Sequence, residues 1–308
     1  MTLSAGIDVG GTKCLGVVID EDGTIVRRSR KPTPHGRTAF VRVLADVAEE
    51  LEPYDTLGVG VPGLVTRTGT LRAAPNLVDV QELAIGPLLA ERLGHEVRVD
   101  NDATCACAAE WRHGAGKGQT DMIMVTLGTG IGGGLVAGGR VQRGTNGFAG
   151  EIGHMVVDPD GPPCPCGRRG CWERYASGSG LAMLAQEAAA NGALGDIAAT
   201  VGGIGAIRGE HLQDAARQRD PEVLAVIDDY GRWVALGLVN LTNILDPGLF
   251  VLGGGLAASA DLYIGAIDTW YRRLLYSADL RPHPGVVFAT LGEHAGAIGA
   301  ALLHELQH

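Results

Sequence analysis

The sequence predicts an α/β protein built from two lobes. At 308 residues the chain is long for one compact core, and two domains of ordinary size account for its length. Strand-like and helix-like hydrophobic patterns both occur along the whole chain. Each half also contains a strand, a turn rich in Gly and Thr, and a second strand, although no short repeat is present.

The first half of the sequence begins as a β-meander and not as a βαβ unit. Residues 3–9 and 14–19 have buried-strand patterns, and the turn Asp20–Gly23 leads into a third strand over 24–29. The elements predicted next are a helix over 39–51, a strand over 57–61, a helix near 83–93, a strand over 97–99 and a helix over about 103–111.

The glycine-rich stretch from His113 to Gln119 is interpreted as the crossing between the lobes. The elements predicted after it are strands over 122–127 and 131–137, a long helix over 221–245, a strand over 249–252, a helix near 261–276, a strand over 286–289 and a helix over 295–308. We therefore expect a small lobe over 1–115, with a C-terminal helix at about 294–308 packing back on it. The large lobe would span 116–293 and carry a cysteine-rich loop.

Glycine is the unusual feature of the composition, with 48 residues. The glycines are spread among hydrophobic runs without a three-residue period, so neither a collagen helix nor a disordered linker explains them. Glycine serves where the backbone takes a positive φ or comes close to a ligand, and we expect many of these residues to have that purpose.

Charge and hydropathy argue against nucleic acid and membrane as partners. The net charge is −10, and the basic run 27–31 is interpreted as a solvated strand end. The N-terminus leads directly into a strand pattern without the basic segment of an export signal, and no uninterrupted apolar run reaches about 18 residues. We expect a soluble, cytoplasmic protein whose cysteines stay reduced.

The first glycine turn, GIDVGGTK over residues 6–13, has the composition of a phosphate-binding turn. An acid near the end of one strand could hold Mg²⁺ through water, and the turn exposes backbone N–H groups and a hydroxyl to an anion. From this motif alone, an ordinary hairpin turn is an equally good interpretation. The candidate nucleotide-binding residues are Asp8, Gly10, Gly11, Thr12 and Lys13.

A second glycine turn, LGTGIGGG over residues 127–134, lies between two apolar strands. It is neither a P-loop nor a Rossmann fingerprint, because a strand and not a helix follows it. Two such turns facing each other from two lobes would hold a chain of phosphates, and a third glycine run at a strand end could approach the adenosine. The candidate residues are Gly128, Thr129, Gly130, Gly132, Gly133, Gly254 and Gly255.

The segment VDNDA over residues 99–103 lies where a strand gives way to a helix. A hydroxyl nucleophile needs a carboxylate to accept its proton during phosphoryl transfer, and Asp102 is a candidate for that base. The alternative is that Asn101 or Asp102 is only a helix N-cap, and the segment alone favours the cap.

Four metal-ligating side chains lie within eighteen residues: His154, Cys164, Cys166 and Cys171. Their types and spacing predict a tetrahedral zinc site. Four protein ligands leave no open position for a catalytic water, so the zinc would be structural. Cys105 and Cys107, two positions apart on a predicted helix, are expected to be small buried residues instead.

Taken together, these motifs resemble the ROK family of bacterial sugar kinases, which has the two-lobed actin-like ATPase (ribonuclease H-like) fold. The resemblance covers nearly the whole chain. The segments that carry it are 8–13, 61–63 (VPG), 75–77 (PNL), 101–102 (ND), 127–134, 151–154 (EIGH), 164–171 and 246–255. Repressors of the family carry a helix-turn-helix before the first strand, for which we expect no room ahead of Gly6.

The resemblance implies roles for individual residues. Asp102 would be the catalytic base, and the glycine turns with Asp8 would bind ATP and Mg²⁺. The residues implied to contact the sugar are Gly63, Asn76, Asn101, Asp102, Glu151, His154 and Glu173. His154 would bind the sugar with one ring nitrogen and zinc with the other, so that the metal fixes the ring direction.

Within the family the sequence is most similar to the glucokinases of high-GC Gram-positive bacteria, which implies glucose and ATP as substrates and a homodimer or homotetramer. One departure is the run Val78-Asp79-Val80, where those enzymes usually have an aromatic residue. The alternatives are an N-acetylhexosamine kinase and a non-catalytic sugar sensor.

Overall fold

Twelve strands form the frame of the protein, which we describe from a computed structural model over residues 2–74 and 77–306. In chain order the strands are β1 (Ser4–Val9), β2 (Lys13–Ile19), β3 (Ile25–Pro32), β4 (Thr56–Val61), β5 (Leu64–Val65), β6 (Leu71–Ala73), β7 (Val97–Asn101), β8 (Met122–Leu127), β9 (Ile131–Ala137), β10 (Arg140–Val141), β11 (Leu249–Gly253) and β12 (Gly285–Phe288).

Ten of these strands form two five-stranded sheets with the same topology. The first sheet has the order β3-β2-β1-β4-β7 and the second β10-β9-β8-β11-β12. In each sheet the first three strands are antiparallel, and the last two run parallel to the central strand. Strands β5 and β6 form a separate hairpin. The similarity between the halves of the sequence therefore reflects one architecture used twice.

Helices connect the strands and cover the sheets. In chain order they are α1 (Arg37–Leu51), α2 (Ile85–Leu93), α3 (Asp102–His113), α4 (Glu173–Ala176), α5 (Gly178–Ala190), α6 (Gly195–Thr200), α7 (Gln213–Arg217), α8 (Pro221–Leu245), α9 (Ala260–Leu274) and α10 (Ala295–Ala301). The long helix has its predicted bounds because Asp220 caps it, accepting from Glu222 N and Val223 N, and Pro221 occupies its first turn.

Helices α3 and α10 lie between the two sheets, and each packs on the sheet of the other half. Helix α10 packs on β1 and β4, where a methyl group at Gly6 or Gly58 would overlap the carbonyl oxygen of Ala297 or Ala300. Helix α3 packs on β9, where a methyl group at Gly134 would overlap the side chain of Cys107. Several glycines therefore serve close helix–sheet packing, a purpose that their sequence context does not reveal.

The C-terminal helix is shorter than the predicted 294–308. Helix α10 ends at Ala301, and a 3₁₀ turn follows over Leu302–His304. This turn buries Leu302 and Leu303 and lets His304 Nε2 donate to the carbonyl oxygen of Leu57, 2.9 Å away. The packing of α10 on β1 and β4 supports the proposal that residues 1–115 and the C-terminal helix form one lobe and residues 116–293 the other.

The remaining features of the fold concern its cysteines and its helices. Cys105 and Cys107 are fully buried, as expected, and all six cysteines, which lie in the described ranges, are free thiols. Within residues 2–74 and 77–306, no helix is both long and apolar enough to cross a bilayer.

Candidate active site

A cavity of about 860 Å³ lies at the ends of the central strands of both sheets. Both halves of the chain contribute to its wall. The predicted site residues that line it are Asp8, Gly63, Asn101, Asp102, Gly128, Thr129, Gly130, Gly132, Gly133, Glu151, His154, Glu173, Gly254 and Gly255. The fold thus brings together most of the residues proposed from scattered motifs, whereas Asn76 lies outside the described residues.

Of the candidate residues in the first glycine turn, Asp8 lines this cavity, whereas Gly10, Gly11, Thr12 and Lys13 lie beside it. Gly10 N donates to the carbonyl oxygen of Lys13 at 2.8 Å and closes the turn between β1 and β2. Gly11 and Thr12 are exposed, so their backbone and hydroxyl groups are open to a ligand. Lys13 contacts the cavity wall through an ion pair with Glu293, which does line the cavity.

The second glycine turn is held from two sides. Gly128 N donates to Gly130 O at 3.0 Å, and Gly178 N, at the start of α5, donates to Gly128 O at 2.7 Å. Glu173 lies on the other side, with Oε2 accepting from Ile131 N at 3.4 Å. The turn therefore depends on helices α4 and α5 for its position.

Asn101 is the N-cap of α3. Its Oδ1 accepts from Thr104 N at 3.0 Å, and its Nδ2 donates to Gly63 O at 3.1 Å. Asp102 Oδ1 accepts from Ala103 N at 2.8 Å, and Oδ2 has no protein hydrogen-bond partner within residues 2–74 and 77–306. The structure thus assigns the cap to Asn101 and leaves a carboxylate oxygen of Asp102 available to a substrate hydroxyl.

Asp8 and Asp102, two cavity carboxyl groups of the first half, have raised pKa values. Burial raises the pKa of Asp102, and the hydrogen bond from Ala103 N offsets part of this rise. Burial raises the pKa of Asp8 to about 7, helped by the charge of Asp102 and opposed by that of Lys13. A carboxylate with a raised pKa is a stronger proton acceptor, which suits Asp102 to general base catalysis.

Three predicted sugar contacts form a chain of close polar groups. His154 Nε2 lies 3.9 Å from Glu151 Oε2, and His154 Nδ1 lies 3.7 Å from Glu173 Oε1. Burial raises the pKa of Glu151, the charge of His154 lowers it, and the charges of Asp102 and Glu173 raise it further. One imidazole therefore presents Nε2 toward Glu151 and the cavity, and Nδ1 toward the cysteines.

The four predicted metal ligands converge, with one ligand atom from each lying within 4.8 Å of all the others. Cys166 Sγ lies 3.6 Å from Cys171 Sγ, and Cys164 Sγ lies 3.8 Å from His154 Nδ1. Two thiolates about 2.3 Å from a tetrahedral Zn²⁺ would lie about 3.8 Å apart, so the spacing and the donor set fit zinc. Of the three cysteines only Cys166 is exposed.

Thr126 and Glu293 are among the cavity residues that were not identified from the sequence. Thr126 lines the cavity and accepts from Gly132 N at 3.0 Å, which fixes the start of β9. Its place one residue before Leu127 matches that of Asp8 before Val9, so the similarity between the halves could have identified it. Glu293 lies 280 residues from its partner Lys13, and no local pattern indicates that pair.

Comparisons with known proteins agree with this geometry. The model of the ROK family matches residues 4–306. A glucokinase from Streptomyces coelicolor is 38% identical, with 98% of this chain and 97% of that protein covered. An N-acetylmannosamine kinase from Escherichia coli is 31% identical, with 96% of each covered.

A solved structure is similar over nearly the whole chain. It is a ROK family glucokinase from Streptomyces griseus in complex with glucose and AMPPNP. It superposes with a TM-score of 0.86 at 38% identity, and 98% of each chain is covered. The fold and the arrangement of two lobes are therefore shared with a sugar kinase.

Proposed function

Because the chain belongs to the ROK family, we propose that it is a glucokinase that transfers the γ-phosphoryl group of ATP to the 6-hydroxyl of glucose. The observation that carries the proposal is the position of Asp102, which lines the cavity with a carboxylate oxygen that the cap of α3 does not use. Glucokinases among its relatives, at 33–38% identity over nearly their full length, support glucose as the acceptor.

The mechanism is an in-line displacement with Asp102 as general base. Asp102 Oδ2 accepts the proton of the sugar 6-hydroxyl as that oxygen attacks the γ-phosphorus, and ADP leaves. Gly63, Asn101, Glu151 and His154 would orient the sugar around this base. The N–H groups of the two glycine turns would stabilise the negative charge on the phosphates.

Two metals belong to the proposal. Mg²⁺ bound with ATP would neutralise charge on the transferring group, and Asp8 would hold it through water. Zinc bound by the four-residue cluster of His154, Cys164, Cys166 and Cys171 would fix the direction of the imidazole. Elemental analysis after a wash with chelator should find one zinc per chain, and active protein without zinc would refute this assignment.

The deciding experiment is a coupled assay across hexoses and phosphoryl donors. Glucose with ATP should give the highest kcat/KM, and a mannose or N-acetylmannosamine optimum would reassign the substrate. The N-acetylhexosamine alternative has support from the relative named for that activity. A protein that binds glucose but never consumes ATP would be a sensor, an alternative against which the presence of both Asp8 and Asp102 argues.

We further propose that the enzyme works in the cytoplasm as a homodimer or homotetramer. The free thiols fit a reducing compartment. Apolar side chains near the ends of α8 and α9 are exposed, at 70% for Ile244, 77% for Tyr276 and 87% for Leu280, which supports a subunit contact there. Light scattering on the purified protein tests the assembly, and a monomer would refute it.

A further inference from the structure

The segment 142–150 connects strand β10 of the second sheet to Glu151 of the sugar site. It leaves the second sheet and lies against residues of the first half. Arg67 Nη2 and Nε donate to the carbonyl oxygen of Gly144 at 2.6 and 3.1 Å. Gly147, with φ of 97°, packs so closely on strand β5 that a methyl group there would lie 2.5 Å from Val65 O.

The central contact of this segment is a buried ion pair. Arg143 Nε lies 2.7 Å from Asp100 Oδ2, and the two side chains are 7% and 1% exposed. Asp100 also accepts from Asn101 N at 2.8 Å through Oδ1. The carboxylate of Asp100 thus contacts Asn101, which caps α3 beside Asp102. It also contacts the segment that leads to Glu151.

The pair is poorly built as a source of stability. Arg143 Nη2 is buried and has no hydrogen-bond partner within the described ranges 2–74 and 77–306. Taking two charges out of water costs several kilocalories per mole, and an apolar pair of similar volume is often as stable or more stable. Stability alone therefore does not account for a buried aspartate and arginine at this place.

We propose that Asp100 and Arg143 are positioning residues that fix the base Asp102 relative to the sugar-binding Glu151. The inference rests on the proposed function, since that function has both residues act on one sugar. Asp102 belongs to the first half and Glu151 to the second. The ion pair and the bond from Arg67 to Gly144 are polar contacts between the first half and the segment that leads to Glu151.

The main test replaces both charges by apolar groups, Asp100→Leu with Arg143→Met. We expect a melting temperature equal to or above that of the wild type. We expect kcat/KM for glucose to fall about 10²-fold, since a displacement of about 1 Å at a catalytic group has that effect. A double variant with wild-type kcat/KM would overturn the proposal, and so would a loss of activity that only parallels a loss of folded protein.

Conservative and independent variants keep the proposal testable if the double variant does not fold. Arg143→Lys retains the charge and should recover most of the kcat/KM. Arg67→Met removes the second contact without burying a charge, and should raise the glucose KM while leaving the ATP KM unchanged. A glucose KM unchanged in Arg67→Met would refute the positioning role.

The control variant is Arg272→Met, which removes an exposed ion pair with Asp268 on helix α9. It should leave both KM values and kcat at the wild-type level. If the wild-type protein phosphorylated another sugar, only the glucokinase assignment would be refuted. The positioning role could still be tested, because the same variants can be measured with that sugar.

Discussion

The two sheets have one topology but different chemistry at the ends of their central strands. Asp8 lies one residue before the end of β1, and Thr126 occupies the equivalent place in β8. The turn after β1 contains Gly10, Gly11 and Thr12, whereas the turn after β8 is Gly128-Thr129-Gly130. The first sheet also ends in Asn101, next to Asp102 at the start of α3.

Under the proposed function, this difference would divide the work of phosphoryl transfer between the halves. The first half would supply Asp102 as the base and Asp8 near Mg²⁺. The second half would add the N–H groups and the hydroxyl of its glycine turn, which suit the phosphates of a nucleotide. Four experiments test the comparison between the halves, from the largest expected effect to the smallest.

The largest effect is expected from Asp102→Asn. The amide keeps the shape of the side chain but cannot accept the proton of the sugar hydroxyl, so kcat should fall by about 10²-fold or more. Glucose binding, measured by calorimetry, should persist. The control is Asp22→Asn in the exposed turn after β2. Turnover of Asp102→Asn near the wild-type level would mean that the first half does not supply the base.

The second experiment compares the two helix–sheet contacts. Gly6→Ala would push a methyl group into the backbone of α10, and Gly134→Ala would push one into Cys107 of α3. Each should lower the free energy of unfolding by about 1–3 kcal/mol, with Gly6→Ala the larger because backbone must move. Urea unfolding measures the change.

The matched control for that pair is Gly195→Ala at the start of α6, where a methyl group meets no atom within 4 Å. This variant should be as stable as the wild type or slightly more stable. If Gly6→Ala and Gly134→Ala were as stable as Gly195→Ala, the packing of α3 and α10 between the sheets would be looser than described.

The third experiment asks whether the zinc cluster affects the sugar alone. Cys166→Ser should raise the glucose KM about tenfold, because His154 and Glu173 lose their orientation and a sugar hydroxyl left unpaired costs about 1–3 kcal/mol. The ATP KM should rise less but measurably, since Glu173 Oε2 accepts from Ile131 N beside the second turn. Equal rises in both constants, or a change in melting temperature alone, would contradict this.

The smallest effect concerns pH and Asp8. Its pKa in the folded protein is about 7, against an ordinary value of 3.8, so the unfolded chain releases this proton first as pH rises. The metal-free protein should therefore lose stability between about pH 4 and pH 7.

Asp8→Asn removes that loss of stability. At pH 8 the metal-free variant should be about 1 kcal/mol more stable than the wild type, and the difference should vanish near pH 4. A shift of one pKa unit corresponds to about 1.4 kcal/mol at full strength. We expect a much smaller effect per unit for Asp8, because it lines an open cavity that water can enter. A difference that does not depend on pH would show that folding does not raise the pKa of Asp8.

The sequence predicted the features that depend only on residues close together in the chain. Helix α8 was predicted with both its bounds, because an Asp-Pro start and a periodic apolar face specify it without reference to the rest of the chain. The two glycine turns were located from their residues, as were the four converging metal ligands. The resemblance of these motifs to the ROK family was confirmed by the family match.

Features with a distant cause were not predictable in the same way. The segment VDNDA could not show whether Asn101 or Asp102 caps α3, since the answer depends on which oxygen lies near Thr104 N. Helix α10 ends early, and the 3₁₀ turn after it brings His304 to Leu57, 247 positions away in the chain. The pair of Asp100 and Arg143 joins residues 43 positions apart, one on β7 and one in the segment after β10, which no periodicity in the chain indicates.

The exchange of α3 and α10 between the halves has a consequence for synthesis on the ribosome. Strand β1 emerges first, yet the helix that covers it lies almost 290 residues later in the chain. The face of the first sheet that α10 covers therefore stays exposed until residues 295–301 have been synthesised. Contacts between distant parts of a chain form slowly, and exposed sheet surface is prone to aggregate in the meantime. A nascent chain stalled before residue 295 should for that reason be a substrate for chaperones.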